Sequence, residues 1–267
     1  MKKSFEIVQT PFGNFLINEH DYIGNHIKKN ENWENHLYHF YSKILDKNDI
    51  CLDIGANLGY HSIQFGRLSK KVHSFEPQSM IYNQFCANIL FNNLDNVITP
   101  YRLGLGEQEK TAQMWDVENE NFGEGIYNWG GRGIEHNDSA YNSDEIREED
   151  QIQVVSLDSL NIPHCDLIKI DIQGYEYYAI QGAIKTISHN KPVILLENNP
   201  QRSTLDRQVL LILHNLGYEM YRYHYDSGED CILIHPESNK YQLSLDTIKN
   251  LQNQIRIIYE NISSYSL

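Results

Sequence analysis

The run Asp53-Ile54-Gly55-Ala56-Asn57-Leu58-Gly59 sets two glycines behind a carboxylate. Glycines in such a run let the backbone turn tightly and approach a ligand with no Cβ in the way. A helix opening there aims its free N–H groups at the same point. Glu76, in Phe75-Glu76-Pro77, follows roughly 20 residues on, where an acid accepts hydrogen bonds from both hydroxyls of a ribose. A nicotinamide dinucleotide asks for G-x-G-x-x-G. Here Ala56, Asn57 and Leu58 fill the interval, and the second glycine that admits a pyrophosphate is missing. Asp53 suits an ammonium, or a water bound by its carboxylate, better than a phosphate. S-adenosylmethionine has an amino-acid end, a ribose and no phosphate, so the pattern favours that cofactor over a dinucleotide.

A second group of chemical residues lies in Lys169-Ile170-Asp171-Ile172-Gln173-Gly174-Tyr175-Glu176. Strand alternation puts Lys169 and Asp171 on one face at a carboxyl end. Asp171 could orient or deprotonate an acceptor hydroxyl. Lys169 could hold Asp171 or steady an alkoxide. The same two residues would also serve as a structural ion pair capping the next helix, and Glu176 could simply favour that helix's dipole. His224, in Tyr223-His224-Tyr225-Asp226, is the second candidate base. Glu197 and Asn198 close a further strand at the same rim, as substrate contacts or as a loop turn. Asn128, Trp129, Gly130 and Arg132 bring an aromatic ring, an amide and a guanidinium to one loop, the tools for sugar faces and phosphates. They are expected to contact the acceptor, together with Gln173 and Glu176.

These motifs, with Leu157-Asp158-Ser159-Leu160, Gly182-Ala183 and Val193-Ile194-Leu195-Leu196-Glu197, resemble the FkbM-type methyltransferases over roughly residues 20 to 220. The resemblance implies a class I methyltransferase fold and S-adenosylmethionine as methyl donor. It also implies O-methylation, in many members of sugar, glycan or natural-product hydroxyls. Trp33-Glu34 resembles an aromatic–Glu pair ahead of the family's core that closes over the cofactor. One departure stands out: the family's usual run has Glu where this chain has Gln173. Cofactor contacts are expected at Asp53, Gly55, Ala56, Asn57, Gly59, Tyr60, Glu76 and Pro77, with Gly104 and Glu34 beside them.

The elements that must position these residues follow two periods. Short apolar runs at 50–55, 72–77, 97–103, 166–171 and 192–197 read as strands. Helical patterns at 61–68, 82–91, 177–188 and 205–216 separate them, the last stopped by Gly217. This alternation predicts an α/β fold, a Rossmann-like, mostly parallel sheet with helices on both faces. Runs at 218–223 and 231–235 add an antiparallel end. A single domain over 1–267 is expected, with an N-terminal cap to about 45 that opens on a hairpin turning at Pro11-Phe12-Gly13. An acidic insertion spans about 116–151. Ile248, Leu251, Ile255 and Ile258 recur at heptad-like spacing and predict a C-terminal helix over about 244–262. That helix would pack on its own domain or join a second copy in a homo-oligomer.

The 267 residues carry a formal net charge of −14, which repels phosphate backbones, so no nucleic-acid partner is expected. No apolar run approaches a membrane span. The start, Met1-Lys2-Lys3-Ser4-Phe5-Glu6, lacks the apolar stretch of a signal peptide. Cys51, Cys86, Cys165 and Cys231 form no C-x-x-C pair, so a reducing cytoplasmic location is expected. The histidines are scattered and no metal site is expected. His61 is expected to point away from the cofactor. The reading is an S-adenosylmethionine-dependent O-methyltransferase acting on a carbohydrate, either a nucleotide-sugar or a growing glycan. Two alternatives stay open: an amine, lipid or peptide acceptor, and a non-catalytic cofactor-binding protein.

Overall fold

Strand residues in the middle of the chain divide cleanly between two apolar layers. Cys51, Leu167, Val193 and Leu195 belong to one buried cluster, and Leu52, Ile168, Ile194 and Leu196 to the other. Period-two alternation with both faces buried is the mark of a sheet covered on each side by helices. The computed structural model describes residues 4–30, 32–114, 126–134, 151–223, 230–252 and 256–265.

The hairpin β1 (Phe5–Thr10) and β2 (Gly13–Asn18) opens the chain, followed by α1 (Tyr22–Asn30) and α2 (Asn35–Ile44). The first half of the large sheet comes from β3 (Ile50–Ile54), α3 (Tyr60–Leu68), β4 (Lys71–Phe75), α4 (Ser79–Phe91) and β5 (Ile98–Tyr101). Three short strands, β6 (Gly104–Leu105), β7 (Lys110–Gln113) and β8 (Gln151–Val155), form a separate small sheet at the root of the insertion. The second half follows as β9 (Leu167–Ile170), α5 (Glu176–Gln181), α6 (Ile184–Asn190), β10 (Val193–Glu197) and α7 (Thr204–Asn215). The chain ends with β11 (Glu219–Tyr223), β12 (Asp230–Ile234), α8 (Tyr241–Leu251) and β13 (Ile257–Glu260).

The large sheet has eight strands in the order β13-β11-β12-β10-β9-β3-β4-β5. The strands from β10 to β5 are parallel, and β12, β11 and β13 pair antiparallel in turn. The chain reverses direction across the sheet at β3, whose neighbours are β4 and β9, so the crevice for a ligand opens at the carboxyl ends of these strands. In the β3–β9 register Asp53 pairs with Lys169 and Ile54 with Ile170.

Two expectations change. The helix expected over 177–188 is two helices that break at Gly182, whose missing Cβ lets it sit against the Gly106 carbonyl. The C-terminal helix expected to 262 stops at Leu251, and Ile257–Glu260 is a strand paired with β11. The free edge of β11 offers a ladder partner, and pairing there overrides the helical spacing. Ile248 and Leu251 are buried in the chain's own core, so these two residues of the heptad-like stripe already have their partners. Ile255 lies outside the described residues. Among those residues no helix is long and apolar enough to cross a membrane.

Candidate active site

A cavity of about 240 Å³ opens at the carboxyl edge of β3, β4, β9 and β10. One end is built on the glycine turn. Gly55 has φ 87°, and a Cβ there would lie 1.9 Å from the Asp171 carbonyl oxygen, so the turn can cross the tip of β9 only as glycine. Gly55, Ala56, Asn57 and Leu58 line the cavity. Glu76, 4% exposed, faces it from the tip of β4. Its carboxylate accepts from Asn57 N at 3.0 Å and Gln78 N at 2.8 Å. Burial pushes its pKa up to about 7 against the pull of those two N–H groups. Each oxygen keeps a free lone pair, so the carboxyl can still accept from two ribose hydroxyls. Phe75, Leu103, Leu105, Met114 and Ile134 add apolar walls next to it.

The other end carries the charge. Lys169 is 4% exposed, with its Nζ 3.2 Å from Asp171 Oδ2. Burial opposes its charge, but Asp171, Glu34, Asp53 and Asp230 outweigh that cost and hold its pKa above the ordinary lysine range. Burial also opposes the charge on Asp171. The Lys169 ammonium and the hydrogen bonds from its neighbours win, and its pKa falls to about 2. Gln173 Nε2 donates to Asp171 Oδ1 at 2.8 Å and to Glu197 Oε2 at 3.1 Å. Burial and the charge of Asp171 push Glu197 well above the usual carboxylate range.

A polar chain enters the same cavity from the cap. Glu34, at φ 46° just before α2, meets His61 Nε2 at 2.9 Å. His61 Nδ1 meets the Tyr41 hydroxyl at 3.1 Å, and that hydroxyl donates to Gln64 Oε1. Tyr41 has then spent its one proton, so it accepts from Nδ1–H and leaves Nε2 as an acceptor for a Glu34 proton. Burial fits this direction: with help from the charge on Lys169 it lowers the His61 pKa to about 3, and against that charge it raises Glu34 to about 8.

Of the residues singled out from the sequence, the cavity brings together Gly55, Ala56, Asn57, Tyr60, Glu76, Pro77, Gly104, Glu34, Lys169, Asp171, Gln173, Glu197, Asn128, Gly130 and Arg132. Others fall elsewhere. Asp53 is 0% exposed and does not line the cavity. It sits one rung below the rim, beside Lys169, and accepts from Ser62. Gly59 is outside the lining; at φ 90° its α-carbon faces the Phe85 ring, 2.2 Å from where a Cβ would be. Glu176 turns inward and accepts from the backbone N–H of Ile172 and Gly174, bracing the loop. Asn198 is buried and donates to the Asp206 carbonyl oxygen. The Trp129 side chain stacks beside Tyr127, and its carbonyl accepts from Gln78 Nε2. Gly130 packs beside Asn57, so this stretch covers the glycine turn as well as the open end. His224 lies outside the described residues. His61, expected to point away, lines the cavity, and Gln78 joins it unannounced. A helix pattern gives spacing but not rotation, and only the proximity of His61 to the glycine turn could have suggested the first.

Strand order, glycine turn and the acid at the tip of β4 define a class I methyltransferase that uses S-adenosylmethionine. The chain belongs to the FkbM methyltransferase family: the model for the "Methyltransferase FkbM domain" matches residues 53–220, more than half of its length. No curated protein sequence matches. Among solved structures the chain is similar to the methyltransferase FkbM from Methylobacillus flagellatus KT, at 23% identity and TM-score 0.49 over 70% of this chain. It spans only 44% of that longer chain. It is also similar to an rRNA methylase from Streptococcus thermophilus, at 13% identity and TM-score 0.44, covering 76% of this chain and 95% of that one. A third similarity is to the tRNA m1G37 methyltransferase of M. jannaschii, at 11% identity and TM-score 0.48, covering 88% and 56%.

Proposed function

We propose that the protein transfers the methyl group to a hydroxyl of a carbohydrate, either a nucleotide-activated sugar or a surface glycan. The observation that carries this reading is the rim of β9 and β10. There Asp171 stays ionised between Lys169 and Gln173, with a quarter of its side chain exposed to the cavity. A hydroxyl is a proton donor and a poor nucleophile, and an acceptor-only carboxylate is the group that orients it and takes its proton. The high proton affinity of Glu197 and Glu34 leaves this end nearly uncharged around Lys169–Asp171, an environment for a neutral polyol.

The residues at the opposite end fit the cofactor. Asn57 N–H, which a pyrophosphate would need, is spent on Glu76. Glu76 would hold the ribose and the walls around Phe75 and Leu105 the base. S-adenosylmethionine supplies a methyl group on a cationic sulfur, which leaves as a neutral thioether. What remains for the protein is to align the acceptor oxygen and keep water out, since a correctly held pair of reactants needs little else. Asp171 holds the hydroxyl, Lys169 keeps Asp171 ionised, and the described part of the insertion closes the far side.

The test is a panel of nucleotide-sugars, glycans, amines and lipids with a labelled methyl donor. Methylation of a sugar hydroxyl is expected, and Asp171→Asn should lower kcat about 10²-fold or more with little change in cofactor Kd. Label appearing only on amines or lipids, or an Asp171→Asn variant as fast as wild type, would overturn the reading.

A further inference from the structure

Gln173, between the tips of β9 and α5, has a left-handed backbone at φ 55°. With Gly174 at φ 95°, the turn swings its side chain back across the tips of β9 and β10. Glu176 braces the turn from behind through the N–H groups of Ile172 and Gly174. The amide nitrogen has two hydrogens, and each finds a carboxyl oxygen, on Asp171 and on Glu197. The reverse orientation would press the amide oxygen against the ionised Asp171 carboxylate, so the surroundings fix which way it points.

We propose that Gln173 is a positioning residue that apportions a single proton between Asp171 and Glu197, keeping it on Glu197 and leaving Asp171 open to the acceptor. The proposal rests on the reading of Asp171 as the proton acceptor. Two neighbouring carboxyls do not both ionise at low cost, and the shorter of the two amide hydrogen bonds, 2.8 Å against 3.1 Å, favours the charge on Asp171. Lys169 on β9 favours the charge on Asp171. Among the described residues, the pair is also influenced by Glu34 ahead of α2, His61 on α3, Glu176 on α5 and Arg202 near Glu197, and Lys169 by Asp53 on β3 and Asp230 on β12. Lys169 and Gln173 hold Asp171 directly, at 3.2 and 2.8 Å. As the acceptor oxygen bonds to the methyl carbon and the carbon–sulfur bond breaks, its electron pair goes to sulfur. The hydroxyl proton passes to Asp171, and Glu197 keeps its own. A neutral donor at position 173 is what this division needs. A Glu there would remove both donated hydrogens and add a third carboxyl.

Potentiometric titration of the full chain tests this without any acceptor. Gln173→Glu should bind one extra proton with a midpoint above about pH 6, against about 4.3 for an ordinary Glu. The double variant Gln173→Glu/Glu197→Gln restores two carboxyls and one amide, and its curve should return to that of wild type. Glu197→Gln alone should lose a proton that wild type releases only well above pH 4.3, which keeps the test open if Gln173→Glu does not fold. An extra proton titrating near 4.3, or a double variant that does not return, would overturn the proposal. With a working acceptor, the acid limb of kcat in Gln173→Glu should move up by a unit or more, with cofactor Kd within about twofold of wild type. A loss that is the same at every pH would reduce Gln173 to a structural part and overturn it too. If the proton counts hold while Asp171→Asn keeps full kcat, the division of the proton stands and the reading of Asp171 as acceptor falls.

Discussion

Glu76 is a buried acid and Asp171 a half-buried one, both at strand tips, and their surroundings drive them apart. Burial governs Glu76 and outweighs its two N–H donors and the charge of Arg132; Lys169 governs Asp171. Each state suits its task, since Glu76 needs lone pairs for hydroxyls and Asp171 needs an ionised oxygen. Glu76→Ala removes an acceptor shared by two ribose hydroxyls and should weaken cofactor binding by about 1–3 kcal/mol. Calorimetry giving an unchanged Kd would place the ribose elsewhere. At this scale the sequence was informative where a strand carried the residue. Alternation fixes that Lys169 and Asp171 share one face of their strand, because a strand has only two faces. It could not reveal that Asp53 sits a rung below the rim, which depends on how β3 is registered against β9. Nor could it show that Glu176 folds back on its own loop.

At the scale of elements, the cap and the insertion are fastened to each other as well as to the core. Tyr127 bridges Asp21, and Tyr22 N donates to the Tyr127 carbonyl oxygen at 2.9 Å. Gly130 lies where a Cβ would come within 2.3 Å of Asn57 Nδ2 and 2.5 Å of Ile23 Cδ1, so it is wedged between the cap and the glycine turn. Gly130→Ala should therefore overpack this joint at a cost of about 1–3 kcal/mol. The cofactor Kd should rise several-fold, with a smaller effect on the acceptor KM. A variant that shifted only the acceptor KM would separate this segment from the cofactor. The strands and helices of the core were legible because their periods differ and are sustained. The small sheet of β6, β8 and β7 was not, because its strands are two to five residues long and pair across the insertion. The end of the chain misled for another reason: the spacing of its isoleucines fits a helix, and only the exposed edge of β11 decides otherwise.

The molecule as a whole buries more acid than it neutralises, and this sets its response to pH. Burial raises Glu76 and Glu176 to about 7 and Glu34 to about 8. An unfolded Glu titrates near 4.3. Between those values the native state holds more protons than the unfolded one, so this contribution is full at low pH and is lost as pH rises through 7 to 8. His61 acts in the opposite direction, since its native pKa is lowered to about 3. Its penalty applies below about pH 6.5 and vanishes above it. From about pH 6.5 to 8.5 the carboxyl effect therefore acts with no opposition from His61, and Tm should fall across that window. Glu176→Gln should flatten the decline, and a Tm that rose instead would contradict the burial of these acids. The sheet order has a further outcome during synthesis. β3 lies between β4, its near successor, and β9, which begins at Leu167. At about 5–20 residues per second, several seconds pass on the ribosome before that second neighbour is made. In that interval the nascent chain holds β3, with Cys51, Leu52 and Ile54, as an open apolar edge. The growing protein is then at its stickiest, the stage at which a chaperone that shields strand edges would matter most.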